Sequence, residues 1–264
     1  MDTVSLAHRS FGGEASAPPL ILLHGMLGSA RNWQTAGRQL AGHFRVCALD
    51  LRNHGESPHH EVMDYPSMAG DVLRWMDQQE LERVHLVGHS MGGKVSMYLA
   101  CRYPERVASL TVVDIAPRAV PPRWEREFAL MRQMPLGEFT RRSEAEAWLE
   151  NDIRDWAFRK FLVSNLERDD EGGFRWIINL EILHQALPNL FQQVPADGQR
   201  FEGPVLFIKG EKSRFIQDGD PEMILRFFPF AKMETVEDAG HNVHFDQPDR
   251  FVEAINSFIG KDSL

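Results

Sequence analysis

Runs of consecutive apolar residues alternate along this chain with stretches whose apolar positions fall three or four apart. The apolar runs are PLILLH (19–24), FRVCALD (44–50), RVHLVG (83–88), VASLTVVD (107–114), PVLFIKG (204–210) and AKMETVE (231–237). Near-continuous apolar character is what strands covered on both faces require, as in a parallel sheet. Between the runs, the spacing predicts helices over about 31–42, 67–80, 91–103, 219–228 and 247–260. Strands alternating with helices in this way predict an α/β fold with a mostly parallel sheet flanked by helices.

The alternation lapses between Pro117 and Gly203. That stretch carries four of the six tryptophans (Trp124, Trp148, Trp156 and Trp176) and reads as several amphipathic helices. PRAVPP at 117–122 opens it and RFEGP at 200–204 closes it. Such punctuation around a change of composition predicts an inserted helical cap over 118–202. Residues 1–117 and 203–264 then form the core domain.

Composition narrows the picture without changing it. The 264 residues, 43% of them hydrophobic, suffice for one α/β domain with its own core. A net charge of −9 offers no basic excess for a polyanion, so no nucleic-acid partner is expected. The N-terminal MDTVSLAHRSFGG lacks an apolar signal core, and no apolar segment reaches membrane-spanning length. Cytoplasmic location without a membrane partner is the expectation, as a monomer or small homo-oligomer. The two cysteines, Cys47 and Cys101, sit in apolar runs and read as small core residues rather than bridge partners.

The chemistry concentrates in HLVGHSMGGKVSMYLA, His85 to Ala100. Read from Gly88, GHSMGGKV falls one residue short of a phosphate-binding loop. Val95 stands where a Ser or Thr hydroxyl would hold magnesium. Read around Ser90, GHSMG is G-x-S-x-G, with a strand before it and a helix after it, which is the context of a nucleophile elbow. A serine at so sharp a turn needs small residues two positions away, and Gly88 and Gly92 meet that need.

A serine hydroxyl needs a base to take its proton. EDAGHNVHFDQP follows the last predicted strand and offers His241 as that base, with His244 packing at the start of the final helix. An oxyanion hole needs backbone N–H groups. Met91, directly after the serine, and Met26, in the turn HGMLGS after the first parallel strand, are the candidates. For the acid, the residues leave Asp114, at the end of SLTVVD, with Asp218 and Asp220 as alternatives. Asp50, Arg52 and His54 in LDLRNHGES read as loop braces, and Lys94 as a surface or salt-bridged residue.

LLHGMLGSARNW, LDLRNHGES, GHSMGGKV, VVDIAP, FRKFLVSNL and AGHNVHFDQP together resemble the α/β-hydrolase family. Within it they are similar to the YbfF-type bacterial esterases and the related abhydrolase-domain proteins. The resemblance implies an α/β-hydrolase fold with a helical cap inserted after the sixth strand. It also implies hydrolysis of a small-molecule acyl ester or thioester without cofactor or metal. By resemblance Ser90 is the nucleophile and His241 the base. Most of the family carries the acid in the segment that here reads GEKSRFI, but Ser213 stands where Asp is usual. The YbfF-like branch is similar in placing its acid at the position of Asp114. Epoxide hydrolases and haloalkane dehalogenases are similar in fold but carry Asp at the elbow. The readings that stay open are a carboxylesterase for small to medium acyl esters, an acyl-CoA or other thioesterase, and a non-catalytic ligand-binding protein on the same scaffold.

Overall fold

The computed structural model of the chain describes residues 2–170 and 172–260. In chain order its strands are β1 (His8–Gly12), β2 (Pro19–Leu23), β3 (Arg45–Leu49), β4 (Val84–His89), β5 (Val107–Val113), β6 (Leu166–Arg168), β7 (Phe174–Trp176), β8 (Val205–Gly210) and β9 (Ala231–Val236). The helices are α1 (Gln34–Leu40), α2 (Tyr65–Gln78), α3 (Met91–Arg102), α4 (Glu125–Gln133), α5 (Arg142–Trp148), α6 (Trp156–Val163), α7 (Leu180–Gln185), α8 (Leu187–Leu190), α9 (Asp220–Phe227), α10 (Val243–Asp246) and α11 (Pro248–Gly260).

Seven strands form one sheet in the order β1-β3-β2-β4-β5-β8-β9. All pairings are parallel except β1 with β3. The central strands β2, β4, β5 and β8 are buried along nearly their whole length, which is why each reads as an apolar run. One apolar core packs α2 and α3 against one face of the sheet. A second packs α1 and α11 against the other. Local chemistry fixes the helix starts: the Asp64 carboxylate accepts from the Ser67 amide at 2.8 Å, and Pro66 occupies the first turn of α2.

Because the parallel strands run the same way, their C-terminal ends share one edge. Register makes this concrete: Leu23 lies beside Gly88, His89 beside Val113, and Val113 beside Ile208. The Ser90 amide then donates to Val113 O at 3.0 Å, and the Asp114 amide to Ile208 O at 2.8 Å. The residues that follow β2, β4 and β5 therefore emerge side by side.

The segment between β5 and β8 holds α4 to α8 and the two-stranded antiparallel ribbon β6–β7. It leaves after the fifth strand of the chain, not the sixth, because only five strands precede it. It is also not purely helical. Its two ends are clasped together: the Val194 amide donates to Pro117 O at 2.9 Å, and the Val120 amide to Phe191 O at 3.0 Å. Cys47 and Cys101 are half-buried, unbridged and packed against the first core. Burial pushes the Cys101 thiol up to about 12. Among the described residues, no helix is long and apolar enough to cross a membrane.

Candidate active site

Ser90 stands between the end of β4 and the first turn of α3, in a left-handed conformation with φ 51° and ψ −114°. A non-glycine residue there carries strain of about 1–3 kcal/mol and is held by its surroundings. The hold is visible. The Gly92 amide donates to His24 O at 3.1 Å, pinning α3 against the loop after β2. A side chain on Gly88 would run into the Gly92 carbonyl, and one on Gly92 into the Leu23 carbonyl, so neither position admits a Cβ. The Ser90 side chain takes no part in capping α3, which leaves its hydroxyl available for chemistry.

Asp114 directly follows β5, also at positive φ (52°), and is wholly buried. Its carboxylate meets three donors. Oδ1 accepts from the Gly210 amide at 3.1 Å. Oδ2 accepts from His241 Nδ1 at 2.7 Å and from the Ser213 hydroxyl. His241 follows β9 and Gly240, with its side chain about one-quarter exposed. Phe215 stacks on the imidazole, centroids 3.7 Å apart and planes 16° from parallel, fixing its plane. A carboxylate on Nδ1 directs Nε2 to act as the proton acceptor. The His89 ring, on the residue before Ser90, lies 4.6 Å from the His241 ring, and its Nε2–H donates to His241 O at 2.9 Å. The loop bearing His241 is thereby tied to the elbow.

The other aspartates nearby, Asp218 and Asp220 among them, have other partners or lie off His241. Asp220 pairs with Arg118 at 2.8 Å and accepts from the Gln217 amide at 2.7 Å. Asp238 pairs with Lys212 at 2.8 Å on the surface, and neither it nor Asp218 is a hydrogen-bond partner of His241 among the described residues.

Met91 is the first residue of α3, so its amide lies among the first-turn N–H groups that have no acceptor within the helix. Met26 lies in the turn after β2. A Cβ on the adjacent Gly25 would stand 3.3 Å from the Ser90 Cβ and 2.9 Å from the His89 ring, so this turn abuts the elbow. The next residue, Leu27, is buried at φ 60°.

Two histidines brace that turn. His24 Nε2 accepts from the Leu51 amide at 3.0 Å while Nδ1–H donates to Gly25 O at 2.8 Å. His54 Nε2 accepts from the Leu27 amide at 3.2 Å while Nδ1–H donates to Arg52 O at 2.9 Å. Burial lowers His24 to about 4 and His54 to about 3, so both are neutral and keep an acceptor nitrogen. Arg52 and Asp71 form a fully buried two-pronged pair at 2.6 and 2.7 Å, and Asp50 accepts from the Ala30 amide at 2.6 Å and the Glu56 amide at 2.9 Å. LDLRNHGES thus braces the loops beside Ser90, with His54 reaching closer to the site than the sequence suggested.

His244 lies in α10, stacked on Trp33 at 4.2 Å between centroids, and burial lowers it to about 3. Lys94 is not on the surface. It is 2% exposed, and its ammonium donates to Arg118 O at 3.2 Å and to Gln192 O, at the two ends of the inserted segment. Burial, with Arg118 nearby, lowers it to about 8. Ser213 is a further group that the sequence presented only as a missing acid.

A family model described as alpha/beta hydrolase fold matches residues 18–248. The sn-1-specific diacylglycerol lipase ABHD11 of Xenopus laevis is 37% identical over 264 residues, covering 97% of this chain and 84% of the relative. Esterase YbfF of Escherichia coli is 31% identical over 244 residues, covering 91% and 92%. Among solved structures, a marine microorganism esterase superposes with a TM-score of 0.92 at 37% identity, covering 97% of this chain and 100% of its own.

Proposed function

The chain belongs to the α/β-hydrolase family, and from that premise we propose that it is a carboxylesterase that cleaves small to medium acyl esters through an acyl-enzyme on Ser90. Carboxylic ester hydrolysis is the activity named for its relatives, the esterase and the lipase alike. The observation that carries the triad is the 2.7 Å contact of His241 Nδ1 with the buried Asp114 carboxylate, beside a serine at φ 51°.

His241 Nε2 takes the Ser90 proton as the oxygen attacks the ester carbonyl carbon. The carbonyl electron pair moves to oxygen and is held by the Met26 and Met91 amides. Collapse expels the alcohol, which receives the proton from His241. Water repeats the sequence on the acyl-enzyme and releases the carboxylic acid. Asp114, on Nδ1, keeps the imidazole in the right tautomer. No step requires a metal or a cofactor. The segment over 118–202 serves as a cap, and its aromatic residues supply the apolar surface for the acyl or alcohol group.

Initial rates on p-nitrophenyl esters from acetate to palmitate, for the native chain and Ser90→Ala, test the reading. Turnover of short and medium esters that disappears in Ser90→Ala supports it. Turnover confined to long chains overturns the substrate range, and an inert native chain overturns the activity.

A further inference from the structure

The turn that carries Met26 is held from the opposite side by the inserted segment. Asn165, at the C-terminal end of α6, is 2% exposed. Its Nδ2 donates to Leu27 O at 2.8 Å across 138 residues of sequence. Its longer contacts to Leu162 O at 3.4 Å and Phe161 O at 3.5 Å stay within its own turn. Leu27 is therefore gripped at both of its peptide groups. His54 takes its N–H at 3.2 Å, and Asn165 satisfies its C=O.

That grip has a purpose that packing alone does not supply. Leu27 is a branched, fully buried residue held at φ 60°, a conformation that such a residue leaves when it is free to do so. Relaxation of Leu27 would turn the peptide that joins it to Met26, changing ψ at Met26 and displacing that residue, and the N–H on its other side, relative to Ser90. Donors of an oxyanion hole work only when aimed in advance at the developing charge. A displacement of about 1 Å at such a group costs on the order of 100-fold in rate.

We infer that Asn165 is a positioning residue for the oxyanion hole: the inserted segment, by donating to Leu27 O, sets the direction of the Met26 amide. The inference rests on the esterase reading above and deepens it. The inserted segment then bears on transition-state binding, because it holds the turn that carries Met26. The neutral state of His54 keeps the other half of the grip intact across the working pH range.

The test compares Asn165→Leu, Asn165→Asp and Tyr65→Phe with the native chain. Asn165→Leu removes the donor, and Asn165→Asp keeps the shape while facing Leu27 O with an acceptor. Tyr65→Phe removes a different tie to the inserted segment, the 2.6 Å bond from Tyr65 OH to Leu190 O, without touching the turn. The readouts are kcat and KM on p-nitrophenyl butyrate and inhibition by an alkyl trifluoromethyl ketone, with thermal melts to confirm folding. Either Asn165 variant should lose on the order of 10- to 100-fold in kcat, with KM within about threefold and the ketone Ki raised in parallel. Tyr65→Phe should keep kcat within about twofold. Unchanged kcat in a folded Asn165 variant, a change confined to KM, or an equal kcat loss in Tyr65→Phe overturns the inference and leaves the esterase reading standing. A native chain that neither hydrolyses the ester nor is labelled by a fluorophosphonate overturns that reading, and the inference with it.

Discussion

Ser213 donates its hydroxyl to Asp114 Oδ2, the same carboxylate oxygen that His241 Nδ1 contacts at 2.7 Å. Where the family resemblance implies an acid, Ser213 stands and donates to a carboxylate that follows β5. Ser213 Oγ also accepts from the Phe215 amide at 3.2 Å, and Phe215 lies flat on the His241 ring. One short turn steadies both partners of the His241–Asp114 contact.

Asp114→Asn should lower kcat by about 10⁴-fold, because the amide favours the wrong tautomer of His241. Ser213→Ala should cost about 10-fold, since it removes one hydrogen bond to a charged group that keeps its other donors. Steady-state rates on p-nitrophenyl butyrate rank the two. Equal losses would mean that Ser213 does more than support the carboxylate.

Asp220→Asn separates the alternative acid from the structure around it. Asp220 is buried against Arg118, so its removal should destabilise the fold by about 3–5 kcal/mol. The folded variant should keep kcat within about threefold, because Asp220 pairs with Arg118 and Gln217 and is not a hydrogen-bond partner of His241 among the described residues. Urea denaturation and initial rates read the two effects apart, and a kcat loss comparable to that of Asp114→Asn would move the acid to Asp220.

Four buried histidines tie stability to pH. Burial lowers His24 to about 4 and His54 and His244 to about 3, and it holds His89 well below its ordinary value. Each is neutral when folded, yet takes up a proton near pH 6.5 once unfolding exposes it. The unfolded chain therefore binds more protons below that pH. Stability should fall as pH drops from about 6.5 towards 4, by up to about 1.4 kcal/mol per pH unit for each histidine. Urea midpoints at pH 7, 6 and 5 check this, and His244→Phe should make the profile shallower. A flat profile would show that these rings are accessible to water.

Lys94→Met should loosen the inserted segment. Its ammonium satisfies carbonyls at Arg118 and Gln192, and an apolar replacement leaves both without that donor, at a cost of about 1–3 kcal/mol. Hydrogen exchange at Val120 and Val194 should quicken, while amides within β4 and β5 keep their protection. Uniform quickening would place the effect on the whole fold instead.

Much of this architecture was legible in the chain because burial on both faces forces apolar runs. The six predicted strands appear with ends shifted by no more than about one residue. β1 was missed for the converse reason: HRSFG lies at the sheet edge and is mostly exposed, so it shows no apolar run. The three-residue strands β6 and β7 are too short to show a period. Ser90 and its glycines could be read because steric demands at a tight turn are local. Ser213 on Asp114, across 99 residues, and Lys94 on Gln192, across 98, could not, since only tertiary contact creates those partnerships.

The clasp between Pro117 and Val194 has a practical consequence. The inserted segment enters and leaves the core through one doorway, where Pro117 and Val120 on the way in meet Val194 and Phe191 on the way out. A stretch of such length can be exchanged as a cassette at that doorway, because closing a longer or shorter loop between fixed ends changes the entropy only slowly with length. A graft that carries an asparagine to the place of Asn165 brings its own fastening to the turn at Leu27. A graft without it inherits the sheet, the serine and the acid, and leaves that fastening behind.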